Sequence, residues 1–233
     1  MERFESITLN IPHSSTVIPI DTWSEDMHTH IMTWTDHHTD KLYKPSRGIP
    51  HYGSITPVIC PVSRFFSDVE RLENDPMEEI GQGIFYTKFG TAEREMEPLI
   101  LSEAMAYRQR HLSLLSSTLK EGSLLIDCHS FPEHLAPNVD VCIGYNEDWS
   151  KPEREFIDKV ADFFTESGFD VEENYPYSNS ITPKAGKPYK SIMLEINKSL
   201  YLDESIAWMK PTAYKINQTL NRLYEKILSQ WTY

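Results

Sequence analysis

No apolar run in this chain of 233 residues reaches the roughly 20 residues needed to cross a bilayer. The opening, MERFESITLNIPHSS, has no basic region followed by an apolar stretch, so no secretory signal is expected. Cysteine is scarce and odd in number: Cys60, Cys128 and Cys142. Free thiols in a reducing compartment are the simplest account, and a cytoplasmic location follows as an expectation. Basic residues are few as well, 22 Lys plus Arg against 35 Asp plus Glu, a formal net charge of -13. Such a chain repels phosphate backbones and anionic lipid heads, which argues against nucleic acid and membrane surfaces as partners. Repeats, low-complexity segments and linkers are also missing. What is there suits one ordinary domain over residues 1–233. With 39% hydrophobic and 24% charged residues, a real core is expected and disorder over most of the length is not.

Strand-like and helix-like stretches alternate. Short β-rich runs fall at Ser6–Ile11, Ser54–Cys60, Ser123–Cys128, Val139–Ile143 and Ser191–Ile196. Most are nearly continuous apolar runs, as buried strands of a largely parallel sheet should be. In Pro152–Gly168, the residues Phe156, Ile157, Val160, Phe163 and Phe164 form one helical face; Pro152 suits a first turn and Gly168 a stop. From Pro211 to Trp231, Ile216, Leu220, Leu223 and Ile227 recur at helical spacing. Glu93 to Leu119 also has a helical pattern, with Pro98 as a kink or a break. Pro-rich polar stretches at Pro45–Pro61 and Pro176–Pro188 are expected to be long loops, which in compact domains are often functional. The pattern predicts an α/β sandwich with helices on both faces. In such sheets, ligands sit outside the carboxyl ends of the strands.

Three strand ends carry groups suited to metal chemistry: Asn10-Ile11-Pro12-His13, Asp127-Cys128-His129 and Met193-Leu194-Glu195. Imidazole is a preferred zinc ligand, and a catalytic zinc takes three protein ligands with a fourth position left open. A third ligand could come from Thr35-Asp36-His37-His38-Thr39-Asp40, which is crowded with candidates. Each feature has a plainer account. A lone His after a strand is more often hydrogen-bonded structure, and Thr35 or Asp36 makes a reasonable helix cap. His28 and His30 have no partner spacing and are expected at the surface. Glu195 is harder to dismiss, because an acid inside SIMLEI is costly unless paired or used. Arg64 and Arg71, mixed with acids and aromatics in SRFFSDVER, could bind carboxylates in bidentate fashion or merely form a salt-bridged segment. Cys128 and His129 point to opposite faces of a strand, which makes a poor nucleophile pair.

Taken in order, NIPHSS, TDHHTDKLY, VSRFFSDVERLENDP, LLIDCHSFP and SIMLEINKSLYLDE resemble the N-formylglutamate amidohydrolase family. The likeness spans Asn10 to Glu204, and its specificity lies in the ordered set. The resemblance implies a three-layer α/β/α sandwich with a mixed, largely parallel sheet, of the zinc-carboxypeptidase type. It implies hydrolysis of N-formyl-L-glutamate to formate and L-glutamate by a zinc-dependent amidohydrolase. Carried over by position, His13 and His129 correspond to metal ligands, with Asp36 as the third and Asp40 as the fallback. Glu195 corresponds to the general base, and Arg71 and Arg64 to positions that hold a substrate carboxylate.

Two departures matter. Glu70 stands where the family has Asn before the second arginine, and a negative group beside Arg71 weakens its hold on an anion. His13 is followed three places on by Thr16, not Glu, so the carboxylate ligand must come from further along the chain. The acidic total does not exclude an anionic substrate, because capture depends on the local field of a cleft. Two rivals are a deacylase or metallopeptidase acting on another N-acyl amino acid or short peptide, and a non-catalytic small-molecule-binding member of the fold.

Overall fold

The computed structural model describes residues 2–19, 25–72, 75–90, 92–203, 205 and 209–231. Glu73, Asn74 and Glu204 of the blocks named above lie outside the described residues. In chain order the strands are β1 (Ser6–Ile11), β2 (Ile55–Ile59), β3 (Lys88–Phe89), β4 (Ala92–Glu93), β5 (Ser123–Phe131), β6 (Val141–Gly144), β7 (Val171–Glu173) and β8 (Tyr189–Asn197). The helices are α1 (Glu25–Trp34), α2 (Thr39–Leu42), α3 (Pro98–Thr118), α4 (Arg154–Glu166) and α5 (Thr212–Leu228). Six strands form one sheet in the order β2-β1-β5-β8-β6-β7, and β3 pairs with β4 in a small ribbon. All pairings in the large sheet are parallel except β6 with β8. With helices on both faces, this is the expected mixed, largely parallel α/β/α sandwich.

The two faces of the sheet have different chemistry. Side chains alternate along a strand. Ile7, Leu9 and Ile11 of β1 therefore join Ile126 and Cys128 of β5 and Ile192, Leu194 and Ile196 of β8 in one apolar cluster. The buried faces of α4 and α5 close it with Phe156, Val160, Phe164, Ile216, Leu220, Leu223 and Ile227. Each such side chain contributes roughly 1.5–3 kcal/mol by leaving water. The intervening positions are Asn10, Asp127, His129 and Glu195, buried polar groups on the opposite face. A run that reads as uniformly buried thus conceals one greasy face and one reactive one.

Several boundaries differ from expectation. Pro98 neither kinks nor breaks a helix; it opens α3 at the first turn, after Glu97 in an extended conformation. A missing N–H costs nothing there. Glu93 belongs to β4 instead. The stretch Pro45–Pro61 is a loop only as far as β2, which tolerates Pro57 because it is an edge strand. Residues 176–188 do carry no regular element. His129 lies inside β5, not after it, whereas Glu195 lies inside β8 as its run implies. Among the described residues, no helix is long and apolar enough to cross a membrane.

Candidate active site

The site sits on the polar face of the sheet, toward the carboxyl ends of β1, β5 and β8. His13 follows β1 by two residues, and its carbonyl accepts the Asp36 N–H at 3.0 Å. That bond draws the turn after α1 over the end of β1. Asp36 does not cap a helix. The following α2 starts at Thr39, behind His38, and the Asp36 carboxylate turns inward. His129 and Glu195 are register partners across β5 and β8, so both project from the same face. The His13 and His129 ring centroids are 5.1 Å apart. One ligand-type atom from each of His13, Asp36 and His129 lies within 4.8 Å of the others, and all three residues are buried.

The hydrogen bonds assign a role to each ring nitrogen. His13 Nε2 donates to Asp68 Oδ1 at 2.9 Å, and His129 Nε2 donates to Asp127 Oδ1 at 3.1 Å. Both Nδ1 atoms face Asp36 Oδ2, at 3.8 Å from His13 and 3.0 Å from His129. A carboxylate behind each imidazole is the arrangement that orients a metal-ligating histidine and raises its basicity. His13 Nδ1 is buried without a hydrogen-bond partner, and so is Glu195 Oε2. Such orphans are costly in a folded interior, and a cation between the two Nδ1 atoms and Asp36 would satisfy the nitrogen. The donor set fits a divalent ion of zinc's kind.

The charge state of the cluster agrees with that fit. Burial, aided by Arg64, lowers His13 to about 4, so its ring is neutral at pH 7. Burial would lower His129 too, but Glu70, Asp127 and Asp36 override it and hold the ring charged. The extra proton of His129 then occupies the Nδ1 side that a cation would take. Burial acts against ionised Asp36, yet the His129 hydrogen bond and Lys198 bring it down to about 2. Glu195 is pushed up to about 8 by burial and by the Asp36 and Asp127 carboxylates, against the pull of His129. A carboxyl that exchanges its proton near neutral pH suits proton transfer.

Arg64 and Arg71 meet at one acceptor. Both donate through Nη2 to the Tyr86 hydroxyl, at 3.2 and 3.3 Å, and that hydroxyl donates to Asp68 Oδ2 at 3.0 Å. Arg64 also bonds Asp68 Oδ2 at 3.0 Å. Glu70 is turned away from Arg71. Its Oε1 accepts from Asn10 Nδ2 at 3.0 Å, and its Oε2 lies 3.3 Å from His129 Nε2. The two arginines, the His13–Asp36–His129 cluster and Glu195 all line one cavity of about 910 Å³.

Asp40, the fallback ligand, sits half-buried on α2 and is not part of that lining. His37 bonds the Met32 carbonyl at 2.9 Å. His30, expected at the surface, is half-buried on the cavity wall. Sequence reasoning missed Asp68, Asp127, Asn10 and Lys198 as members of the site. For Asp127 a signal was available, since it stands two residues before His129 and so shares its face of the strand. Asn10 gave none: its amide bridges Glu70 and Asp127 while His111 of α3 donates to its oxygen at 2.7 Å.

Comparison with solved structures finds the same fold in an N-formylglutamate amidohydrolase from Ralstonia eutropha JMP134, with a TM-score of 0.79. The match covers 99% of this chain and 95% of that one at 17% identity. A gene product of Agrobacterium tumefaciens matches with a TM-score of 0.66 over 97% of this chain and 89% of that one, also at 17% identity. No curated protein matches the sequence. The family model of N-formylglutamate amidohydrolase matches residues 6–202, a span that holds every site residue named above. The chain belongs to the N-formylglutamate amidohydrolase family.

Proposed function

We propose that the chain, acting as one domain, is a zinc-dependent hydrolase that cleaves N-formyl-L-glutamate, or a related N-acyl amino acid, to a carboxylic acid and the free amino acid. His13, Asp36 and His129 would hold the metal, Glu195 would move the proton, and Arg64 and Arg71 would hold substrate carboxylate. The observation that carries this reading is the convergence of two carboxylate-backed imidazoles, Asp36 and the unpartnered Glu195 oxygen on one cavity wall.

The chemistry that zinc supplies when bound is Lewis acidity, which polarises an amide carbonyl and makes water nucleophilic at neutral pH. Glu195 accepts a proton from the attacking water and returns it to the amide nitrogen as the C–N bond breaks, so the amino acid leaves as a neutral amine. Asp68 and Asp127 hold the imidazoles in one tautomer throughout. Arg71, about a quarter exposed, is placed to reach a substrate carboxylate, while Arg64 is tied inward to Asp68 and Tyr86. Fixing the carboxylates turns remote binding energy into orientation of the amide.

The cavity also supports an acyl group larger than formyl. Its volume of about 910 Å³ falls near the top of the roughly 300–1,000 Å³ range that encloses drug-sized ligands. Trp34, Leu112 and Ile181 contribute apolar wall. The experiment is a panel of N-formyl, N-acetyl and longer N-acyl derivatives of glutamate, aspartate and a neutral amino acid, assayed with metal analysis of the purified protein. Release of free amino acid by zinc-loaded protein, lost on chelation, is the expected result. A protein that binds no metal and hydrolyses none of the panel is not this enzyme.

A further inference from the structure

Lys198 is only 8% exposed, an uncommon place for an ammonium group, which is hardly ever buried without partners. It follows β8 directly, three residues after Glu195. Its Nζ reaches back across the site to the last turn of α1 and the residue that follows the helix. There it donates to the Thr33 carbonyl at 2.9 Å and the Thr35 carbonyl at 2.8 Å, and it lies 3.7 Å from Asp36 Oδ1. The same Oδ1 accepts the Ser130 hydroxyl at 3.3 Å. Asp36 Oδ2 is left for the two imidazole Nδ1 atoms. The two oxygens of one carboxylate thus have separate surroundings: a cation and a hydroxyl on one, the candidate ion position on the other.

We propose that Lys198 is a positioning residue that engages Asp36 Oδ1, confines the carboxylate to ligation through Oδ2 alone, and ties the Asp36 turn to the strand that carries Glu195. A carboxylate free to swing can bind through both oxygens and take up the open position that substrate needs, since zinc in such sites is four-coordinate with one place free. The lysine also offsets charge: Asp36 is buried among acids, and the ammonium lies beside Oδ1, not the oxygen that faces the rings. The two backbone acceptors hold the ammonium in place. Lys198 therefore acts on the ligand set from behind, as an outer-shell group does, and losses of about 10- to 100-fold in metal affinity are typical when such groups are removed. The inference rests on the reading of Asp36, His13 and His129 as ligands.

The test compares full-length wild type with Lys198→Met, Lys198→Gln and His13→Ala. Zinc affinity is measured by chelator competition, and the visible spectrum of the cobalt-loaded protein reports coordination number. Lys198→Met and Lys198→Gln are expected to bind zinc about 10- to 100-fold more weakly, and their cobalt bands should lose intensity as coordination rises. A merely structural lysine would not move those bands. If Lys198→Met does not fold, Lys198→Gln decides alone, because its amide can still donate to the Thr33 and Thr35 carbonyls while lacking the charge. Wild-type affinity and an unchanged cobalt spectrum in a folded Lys198 variant, with zinc lost in His13→Ala, overturn the inference and leave the ligand set standing. Undiminished zinc binding in His13→Ala overturns both.

Discussion

His129 and Glu195 are direct neighbours across the parallel ladder between β5 and β8. The pairing aims both side chains at the same cavity from adjoining strands whose residues around them are buried, so the proposed ligand and the proposed base share a rigid frame. Glu195→Gln keeps the shape and removes the base. We expect zinc content to be unchanged and kcat to fall by about 100- to 10,000-fold. Full turnover in the variant would take Glu195 out of the reaction.

The choice between Asp36 and Asp40 has a clean experimental counterpart. Asp36→Ala should lose zinc binding and activity together, whereas Asp40→Ala, on a residue outside the cavity lining, should retain both. Metal stoichiometry after dialysis decides it, and equal losses in the two variants would mean that the third ligand is misassigned.

Asp68 gathers two guanidinium groups and two neutral donors: Arg64, Arg71, the Tyr86 hydroxyl and the His13 ring all address it. Burial opposes its charge, but Arg64, His13 and Arg71 hold it well below the usual carboxylate range. Its folded pKa is therefore lower than its unfolded value of about 3.9. The sign follows: the stabilisation is complete above the unfolded value and is lost as pH falls below about 4 toward the folded value. Asp68→Asn should cost about 1–3 kcal/mol at neutral pH, because it weakens the acceptor shared by the half-buried Arg64 and Arg71, the Tyr86 hydroxyl and His13. Urea denaturation at pH 7 and pH 3 measures both effects. A variant as stable as wild type at pH 7 would contradict this account.

Removing the metal should weaken the fold as well as stop the reaction. An ion that binds only the folded chain, present at 100 times its Kd, stabilises it by about 2.7 kcal/mol. The melting temperature in excess dipicolinate should therefore lie below that in micromolar zinc. Identical melting curves would argue that no ion occupies the cluster.

Arg71 offers a test of substrate charge. With Arg71→Ala, KM for N-formylglutamate should rise more than kcat falls. A charged hydrogen bond of about 1.5–3 kcal/mol corresponds to a loss of roughly 10- to 100-fold in kcat/KM. Added salt should weaken capture by wild type more than by the variant. Equal KM values would assign carboxylate binding to other groups.

Much of the fold was legible. The bounds of β1 follow from its own residues, and the buried faces of α4 and α5 follow from the spacing of Phe156, Val160 and Phe164 and of Ile216, Leu220, Leu223 and Ile227. Helical and strand periodicities are local properties, set by backbone geometry and by which side chains avoid water. Pro98 was misjudged because the pattern of residues 93–119 cannot tell a proline inside a helix from one at its first turn; the extended backbone at Glu97 decides.

The site divides along the same line. Sequence alone marked His13, His129, Glu195, Arg64 and Arg71 as groups too polar or too reactive for their surroundings, and it narrowed the third partner to the acids of one short segment. Only the tertiary structure brought Asp36 and not Asp40 to the imidazoles, put Asp68 and Asp127 behind them, turned Glu70 away from Arg71, and reached Lys198 across to Asp36. Those are contacts between residues far apart in the chain. They depend on how β1, β5 and β8 stand beside one another and on which loops fold over their ends, and no local pattern encodes that packing.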